Sequence, residues 1–188
     1  MTTSLHVRPV DTADDMLAAF ALRREVFVNE QSVPLDLEID DTDFDPQTVH
    51  LIGELGDDVV AVGRLTPPEA TVAADLAALH LPQFSADGFP TGTELPGSTA
   101  ATSIHVGRLA VRHDKRGLGL GAALVAGCLR EAARRWRGPG ALMLELSAQV
   151  YAIGFYRRTG FALVEHRDTY LDAGIEHRDM AAMYTPGG

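Results

Sequence analysis

A mixed α/β (α+β) fold in a single domain is predicted by three features of this sequence. Residues 48–55 and 59–65 are strand-like runs joined by Gly56, Asp57 and Asp58, which is typical of an antiparallel hairpin. Residues 105–184 alternate between strand-like and helix-like patterns. The length suits one domain, and no internal repeat divides it. We therefore predict one domain over 1–188.

The first half is predicted to begin with a strand, a helix and a loop. Residues 5–10 have strand character. Thr12 and Asp15 form a capping box for a helix that runs to position 29. An acidic, proline-bearing loop follows over 31–47 and leads into the hairpin.

Residues 67–102 are predicted to be an insertion loop. Two prolines end the preceding strand, and much of the stretch is rich in Gly, Pro, Ser and Thr. A short helix is predicted at 72–80. A loop of this length in a compact domain is usually functional or disordered.

The second half is predicted to alternate strands and helices. The helix over 120–136 carries one apolar stripe, has arginines in its last turn and stops at a Gly-Pro-Gly sequence. The other predicted elements are strands at 105–111, 141–146, 161–165 and 180–184, and a helix at 149–158.

Composition predicts a cytoplasmic protein. Cys128 is the single cysteine, so no intrachain disulfide or cysteine zinc site is expected, which favours a reducing compartment. The first residues lack the basic start and apolar core of a signal peptide. No apolar run approaches the roughly 18 residues of a membrane span, so we expect no membrane partner.

Charge is divided unevenly along the chain. Residues 1–100 hold 18 acidic residues against 4 arginines, whereas residues 101–188 hold 8 acidic against 12 basic residues. An acidic chain with one basic half does not suit nucleic-acid binding, but it suits a local site for a small polyanion. A solvated acidic surface remains the alternative interpretation.

The glycine-rich segment over 117–121 is the candidate polyanion site. A strand runs into a loop with glycines at alternate positions, and a helix follows. The backbone N–H groups at such a helix start favour anions, and Arg112, Lys115 and Arg116 add positive charge. The Gly-Lys-Ser/Thr end of a P-loop is missing. A relaxed dinucleotide motif fits, but the acid expected about 20 residues later is missing. A purely structural turn is the remaining alternative.

Two blocks of the sequence resemble the GNAT superfamily of acetyl-CoA-dependent N-acyltransferases. Arg116-x-x-Gly119-x-Gly121, after a strand ending at 109–111, resembles the family's pyrophosphate-binding motif. QVYAIGFYRRTGF over 149–161 resembles its Asn/Gln-x-x-Ala…Phe-Tyr-x-x-x-Gly-Phe segment. LRREVFVNEQSVP over 22–34 resembles the ElaA-like subgroup.

The resemblance implies a fold and a co-substrate. The fold is a central mixed, mostly antiparallel sheet of about six or seven strands flanked by about four helices, with the insertion between strands 3 and 4. The co-substrate is acetyl-CoA, without a metal. Backbone groups of Leu109 and Val111 would pair with the pantetheine amides, and an N–H near Leu109 would face the thioester oxygen. The implied cofactor-binding residues are Leu109, Ala110, Val111, Arg116, Gly117, Leu118, Gly119, Leu120, Gly121, Ala122 and Gln149.

Two catalytic residues are implied by the same resemblance. Tyr156 matches the tyrosine that protonates the departing thiolate, and a packing tyrosine is the alternative. His105 stands where some members carry a glutamate base. A histidine titrates near neutrality and could accept the proton of the amine, although a structural strand histidine is equally consistent.

The acceptor is predicted to bind near a third group of residues. The family places the region after the first helix beside the acceptor, which implies substrate contacts for Glu30, Gln31, Glu38 and Asp40. The three acids are also alternative bases, or solvated surface groups. A calcium site is not expected, because the aspartate run starting at Asp41 has Pro46 where such a loop needs glycine.

The sequence thus predicts an N-acetyltransferase. It would move an acetyl group from acetyl-CoA to a primary amine of a small molecule or protein by direct attack in a ternary complex. The acidic half would attract a cationic acceptor, and the resemblance implies a homodimer. Two alternatives stay open: a non-catalytic acyl-CoA-binding regulatory domain, and an acyltransferase like the acyl-homoserine lactone synthases.

Overall fold

The computed structural model describes residues 4–67, 79–96, 102–136 and 141–185. The chain forms two compact units, each built from two stretches of sequence: Met1–Thr66 with Gly107–Cys128, and Pro67–Val106 with Leu129–Gly188. Helices and strands occur in both, so the predicted mixed α+β class is confirmed. The described part of the chain holds four α-helices, and none of them is long and apolar enough to cross a membrane.

The first unit contains an antiparallel sheet that includes the predicted hairpin. Its strands are β1 (His6–Pro9), β2 (Val49–Leu55) and β3 (Asp58–Thr66). His6 lies opposite Glu54 and Val49 lies opposite Leu65. Strand β3 is buried from Val60 to Thr66, a stretch that is apolar except for Arg64 and Thr66.

Helices cover this sheet and form the core of the first unit. Helix α1 (Ala13–Arg23) has the predicted capping box, in which Asp15 donates its N–H to Thr12 Oγ1 over 3.1 Å. The chain then forms a π-helix over Arg24–Glu30, where a continuous α-helix was predicted. Helix α2 (Leu35–Glu38) follows. The buried core residues of this group are Ala19, Leu22, Val26, Ile52, Val62 and Ala110.

The second unit is organised around one long central strand. Its strands are β4 (His80–Phe84), β5 (Pro90–Pro96), the first part of β6 (Thr102–Val111), β7 (Leu142–Gln149), β8 (Ala162–Leu163), β9 (Tyr170–Asp172) and β10 (Ile175–Tyr184). Strand β10 pairs antiparallel with β7, β8 and β9 and parallel with β4. Strands β6 and β7 are parallel, with His105 opposite Glu145.

Two helices belong partly or wholly to the second unit. Helix α3 (Leu120–Arg135) begins in the first unit and ends in the second, and helix α4 (Ile153–Arg158) lies within the second. The apolar cluster of this unit comprises Leu81, Met143, Val164, Ala181 and Met183.

Residues 80–96 form a hairpin, so the prediction of a loop there is wrong. Prolines at 82, 90 and 96 conceal the strand pattern. Strand β5 ends the strand order, where a proline removes no N–H from a central ladder. His80 begins β4, so it does not end a helix, while residues 72–78 of that predicted helix lie outside the described residues. The predicted mixed, mostly antiparallel pairing is confirmed, with ten strands in the described ranges because this hairpin adds two and β9 adds a third to the seven predicted.

Candidate functional site

The glycine loop joins β6 to the start of α3 in the first unit. Gly117 and Gly119 both have φ +78°, a conformation that other residues adopt only with strain. Nothing lies within 4 Å of where a Cβ would project at either position, and the loop is exposed. The first N–H groups of α3 have no intrahelical acceptor by the geometry of a helix start. The loop therefore presents accessible backbone donors at a positive helix end, which fits a phosphate ligand.

Charged side chains beside the loop leave a small positive surplus. Arg112 pairs with Asp114 at 2.8 Å, and Lys115 reaches the same carboxylate at 3.3 Å. The hydrogen bond from Arg112 holds the pKa of Asp114 below its ordinary value. Arg116 pairs with Glu30 at 2.8 Å. Three cations facing two carboxylates give this group a net charge of +1 at neutral pH.

The strand end at 109–111 follows an unusual residue. Arg108 has φ +50°, which places an L-residue in the left-handed region inside a strand. After it, Ala110 is buried, and Val111 accepts a hydrogen bond at its carbonyl from Arg116 Nε over 2.9 Å. That carbonyl retains a second lone pair. The backbone predicted to pair with pantetheine thus begins at a break in the regular strand.

A buried cluster of three arginines and three carboxylates lies in the first unit. Arg23, only 2% exposed, donates to Glu38 Oε1 at 2.6 Å and to Asp43 at 2.6 Å and 2.9 Å. Arg64 bridges Asp40 and Asp43 at 2.9 Å and 2.7 Å. Arg108 contacts Glu38 at 3.0 Å and Asp40 at 3.1 Å. The charges cancel, which is the condition under which buried ions are tolerated.

The cluster sets the protonation of its members. Burial alone would raise the pKa of Asp43, but the hydrogen bonds from Arg23 and Arg64 hold it well below its ordinary value. Burial lowers the pKa of His50, and its neutral ring donates Nε2–H to the carbonyl of Asp43 over 3.0 Å. Asp43 is therefore an ionised structural group.

The residues predicted to contact the acceptor occupy different environments. Glu38 is 2% exposed and neutralised by Arg23 and Arg108, which is the environment of a structural group. Asp40 is partly exposed at the edge of the same cluster. Glu30 faces the glycine loop through Arg116, and Gln31 ends the π-helix by donating its N–H to Val28. Within the first unit, the structure thus brings Glu30 beside the predicted cofactor residues.

The remaining predicted site residues belong to the second unit. On β7, Glu145, Ser147 and Gln149 alternate with buried Leu146 and Ala148 and share one face of the strand. His105 lies beside Glu145 in the parallel register. Gln149 lies opposite His177 on β10. His105 and Gln149 therefore belong to one polar strand face.

A hydrogen-bonded network covers this strand face. Arg167 Nη1 donates to Glu145 at 2.9 Å and to Asp179 at 2.8 Å. The Tyr170 hydroxyl lies 2.6 Å from Ser147 Oγ and 2.8 Å from Asp179 Oδ1. Since a carboxylate can only accept, Tyr170 donates to Asp179. Burial raises the pKa of Tyr170 to about 12. The hydrogen bond to Asp179 acts in the same direction, whereas the hydrogen bond to Ser147 lowers the pKa.

Tyr156 lies on α4 with its ring between two phenylalanines. The ring centroids are 5.0 Å from Phe155 and 6.2 Å from Phe161, both in edge-to-face arrangements. Its carbonyl accepts a hydrogen bond from Thr159 Oγ1 over 2.9 Å. The ring is half-buried, and its packing fixes the direction of the side chain.

Sequence reasoning missed two groups of residues. The arginines of the buried cluster, Arg23, Arg64 and Arg108, gave one signal, because each interrupts a largely apolar segment. The network on β7 gave another, because Glu145 and Ser147 are polar residues two positions apart in an apolar strand, which is the period of one strand face. Their partners on other strands had no local signal.

Comparisons with known proteins agree with the sequence resemblance. The family model described as the acetyltransferase (GNAT) domain matches residues 92–183. The UPF0039 protein sll0451 of Synechocystis sp. is 31% identical over 178 residues, which cover 94% of this chain and 92% of the relative. The crystal structure of an acyl-CoA N-acyltransferase from Pseudomonas aeruginosa has 26% identity and a TM-score of 0.69, covering 95% of this chain and 99% of that chain.

The fold is also that of Escherichia coli ElaA, with a TM-score of 0.67, 22% identity and coverage of 95% of this chain and 99% of that chain. The predicted resemblance is thus confirmed at the level of the family and of its ElaA-like relatives. The chain belongs to the GNAT family of acetyltransferases and is an acyltransferase.

Proposed function

We propose that this protein transfers an acetyl group from acetyl-CoA to a primary amine of a small molecule or protein. The observation that carries the proposal is the glycine loop, in which two left-handed glycines and a helix start expose backbone donors beside a positive surplus. Membership of the GNAT family supports the same reaction.

The cofactor would be held mainly by backbone groups. N–H groups over 116–122 would bind the pyrophosphate, and the strand end at Leu109 and Val111 would hydrogen-bond the pantetheine amides. When bound, acetyl-CoA supplies a thioester carbonyl that is open to attack. The N–H near Leu109 would donate to the carbonyl oxygen as negative charge develops there.

Two side chains would carry the proton transfers. The amine nitrogen bonds to the acetyl carbon while the carbon–sulfur bond breaks, so one proton leaves the nitrogen and one is taken up by the sulfur. Tyr156 would donate the proton to sulfur, which suits a hydroxyl whose ring is fixed by packing. His105 would accept the proton of the amine.

The acceptor is proposed to approach as an ammonium cation, which loses one proton to solvent before the neutral amine attacks. Exposed acids in the first unit, among them Asp36, Asp41 and Asp45, would attract an ammonium group at long range. Glu30, Gln31 and Asp40 stay as candidate contacts. Glu38 is left out because it is buried between two arginines.

Calorimetric titration with acetyl-CoA tests the cofactor assignment. We expect the wild type to bind at about micromolar affinity. Gly119→Glu places a negative side chain among the donors and should weaken binding about 100-fold. Gly56→Glu is the matched control, because Gly56 also has positive φ, +64°, and open space around it, but lies in the β2–β3 turn. It should bind like the wild type.

The outcomes separate a phosphate cradle from a structural loop. Loss of binding in Gly119→Glu alone supports the proposal, and a screen of amines for thioester turnover follows. Equal binding by all three proteins contradicts the assignment of the loop. Binding without turnover of any amine would instead favour a non-catalytic acyl-CoA-binding domain.

A further inference from the structure

Arg108 combines a strained backbone with an unusually well-held side chain. Its φ of +50° is one of three positive values at non-glycine residues in the described ranges, the others being Ser32 and Ala173. Ala173 lies in a turn and Ser32 in an irregular connection, whereas Arg108 lies inside β6. A left-handed L-residue persists only where its surroundings hold it.

The side chain of Arg108 is held in place by hydrogen bonds to α2. Arg108 Nη2 donates to the carbonyl of Leu37 over 2.9 Å, and Nε donates to the carbonyl of Glu38 over 3.2 Å. These are the last two residues of α2, whose carbonyls lack intrahelical partners. Contacts with the carboxylates of Glu38 and Asp40 complete the attachment. One guanidinium therefore caps a short helix and joins it to a strand about 70 positions away in sequence.

The strained residue directly precedes the peptide unit assigned to the reaction. The N–H of Leu109 belongs to the peptide that links Leu109 to Arg108, so its direction depends on the backbone of Arg108. If Arg108 had the φ of a regular strand, the N–H of Leu109 would point in a very different direction. The buried cluster, whose other members are far from Leu109 in sequence, thus bears on the direction of the donor through Arg108.

We propose that Arg108 is a positioning residue, whose guanidinium, held by α2, maintains the left-handed backbone that aims the N–H of Leu109. This role rests on the proposed acetyl transfer. The donor acts on charge that develops during the reaction, so its misdirection lowers kcat and leaves the KM for acetyl-CoA nearly unchanged.

Two substitutions at position 108 separate the effect of the backbone conformation from the effect of losing the side-chain contacts with α2. Arg108→Ala removes the guanidinium and keeps a Cβ that disfavours positive φ, and kcat should fall about 10-fold or more. Arg108→Gly removes the same guanidinium but adopts φ +50° without steric conflict. It should recover several-fold of the lost kcat. A purely structural arginine predicts no such recovery, because both variants lose the same contacts.

Two further variants test whether a folding defect explains a loss of kcat. Arg108→Gly with Glu38→Gln keeps the buried cluster neutral and should show the same kcat as Arg108→Gly. Arg8→Ala is the control, because Arg8 also binds two carboxylates, Asp15 and Glu54, in the first unit. Its kcat should equal that of the wild type.

Amide hydrogen exchange gives a readout that needs no activity. The N–H groups of Leu37 and Glu38 donate to Pro34, and they should exchange faster in both position-108 variants than in the wild type. Unchanged exchange rejects the attachment, and equal kcat for the glycine and alanine variants rejects the positioning role. A wild type that neither binds nor turns over acetyl-CoA rejects the proposed function instead, while exchange still decides the attachment.

Discussion

Removing Arg23 should expose how much the buried cluster stabilises the fold. In Arg23→Ala, the carboxylates of Glu38 and Asp43 lose their hydrogen bonds at 2.6 Å and 2.6–2.9 Å, and a buried net charge of −1 remains. Breaking a buried ion pair costs about 3–5 kcal/mol. Because Glu38 keeps Arg108 and Asp43 keeps Arg64, we expect a loss of about 3 kcal/mol in the free energy of unfolding.

Urea denaturation measures this loss. With a slope of about 2 kcal/mol per molar urea, the midpoint should fall by about 1.5 M. Arg8→Ala is the matched control, since Arg8 also binds two carboxylates but its side chain is 30% exposed. Such an exposed arginine contributes at most about 1 kcal/mol, or about 0.5 M. Equal midpoint shifts in the two variants would refute the argument that burial decides the cost.

Arg23→Ala should also alter the dependence of the free energy of unfolding on pH. The folded-state pKa of Asp43 is held below its ordinary value, so its contribution is complete above about pH 4 and declines as the pH falls toward the folded-state pKa. Without Arg23, that pKa moves back toward the ordinary value. The difference in unfolding free energy between wild type and variant should therefore narrow on acidification. A difference that is constant from pH 7 to pH 3 would contradict this reasoning.

Three further changes test separate parts of the molecule. Glu30→Gln releases Arg116 and should tighten acetyl-CoA binding by up to about 5-fold in calorimetry, less at high salt; weaker binding would count against the assignment. Tyr156→Phe should lower kcat about 100-fold without changing acetyl-CoA affinity, whereas an unchanged kcat would leave only a packing role. Gly127→Ala places a Cβ 2.5 Å from Val7 and should cost about 1–3 kcal/mol of stability in urea. Val7→Gly in the same chain removes the clashing side chain and should recover part of that cost, and the absence of coupling would contradict the contact.

The glycine loop could be predicted because a single short segment carries its information. Gly117 and Gly119, the basic residues before them and the helix after them lie within about 20 positions, and local backbone preferences decide the outcome. The capping box of α1 is a similar case, since Thr12 and Asp15 contact each other within one turn.

The buried cluster could not be predicted in the same way. Its pairs join residues separated by 15 to 70 positions, and an arginine in an apolar segment does not indicate which carboxylate it will meet. Glu38 and Asp40 were therefore predicted as acceptor contacts on the basis of resemblance alone. The β4–β5 hairpin was missed for another reason, because its prolines suppress the strand pattern, although β5, as the last strand, tolerates Pro90 and Pro96.

The acidic first half offers less charge to an acceptor than its composition suggests. Arg23, Arg64 and Arg108 neutralise the carboxylates of the buried cluster, and Arg8 neutralises Asp15 and Glu54 at the surface. Glu30 is engaged by Arg116. Attraction of a cationic amine must therefore come from exposed acids that act over a distance, and salt screens such steering within about 10 Å at 0.1 M. The charge of this half consequently bears on the rate of encounter, while the choice of acceptor depends on groups that touch it.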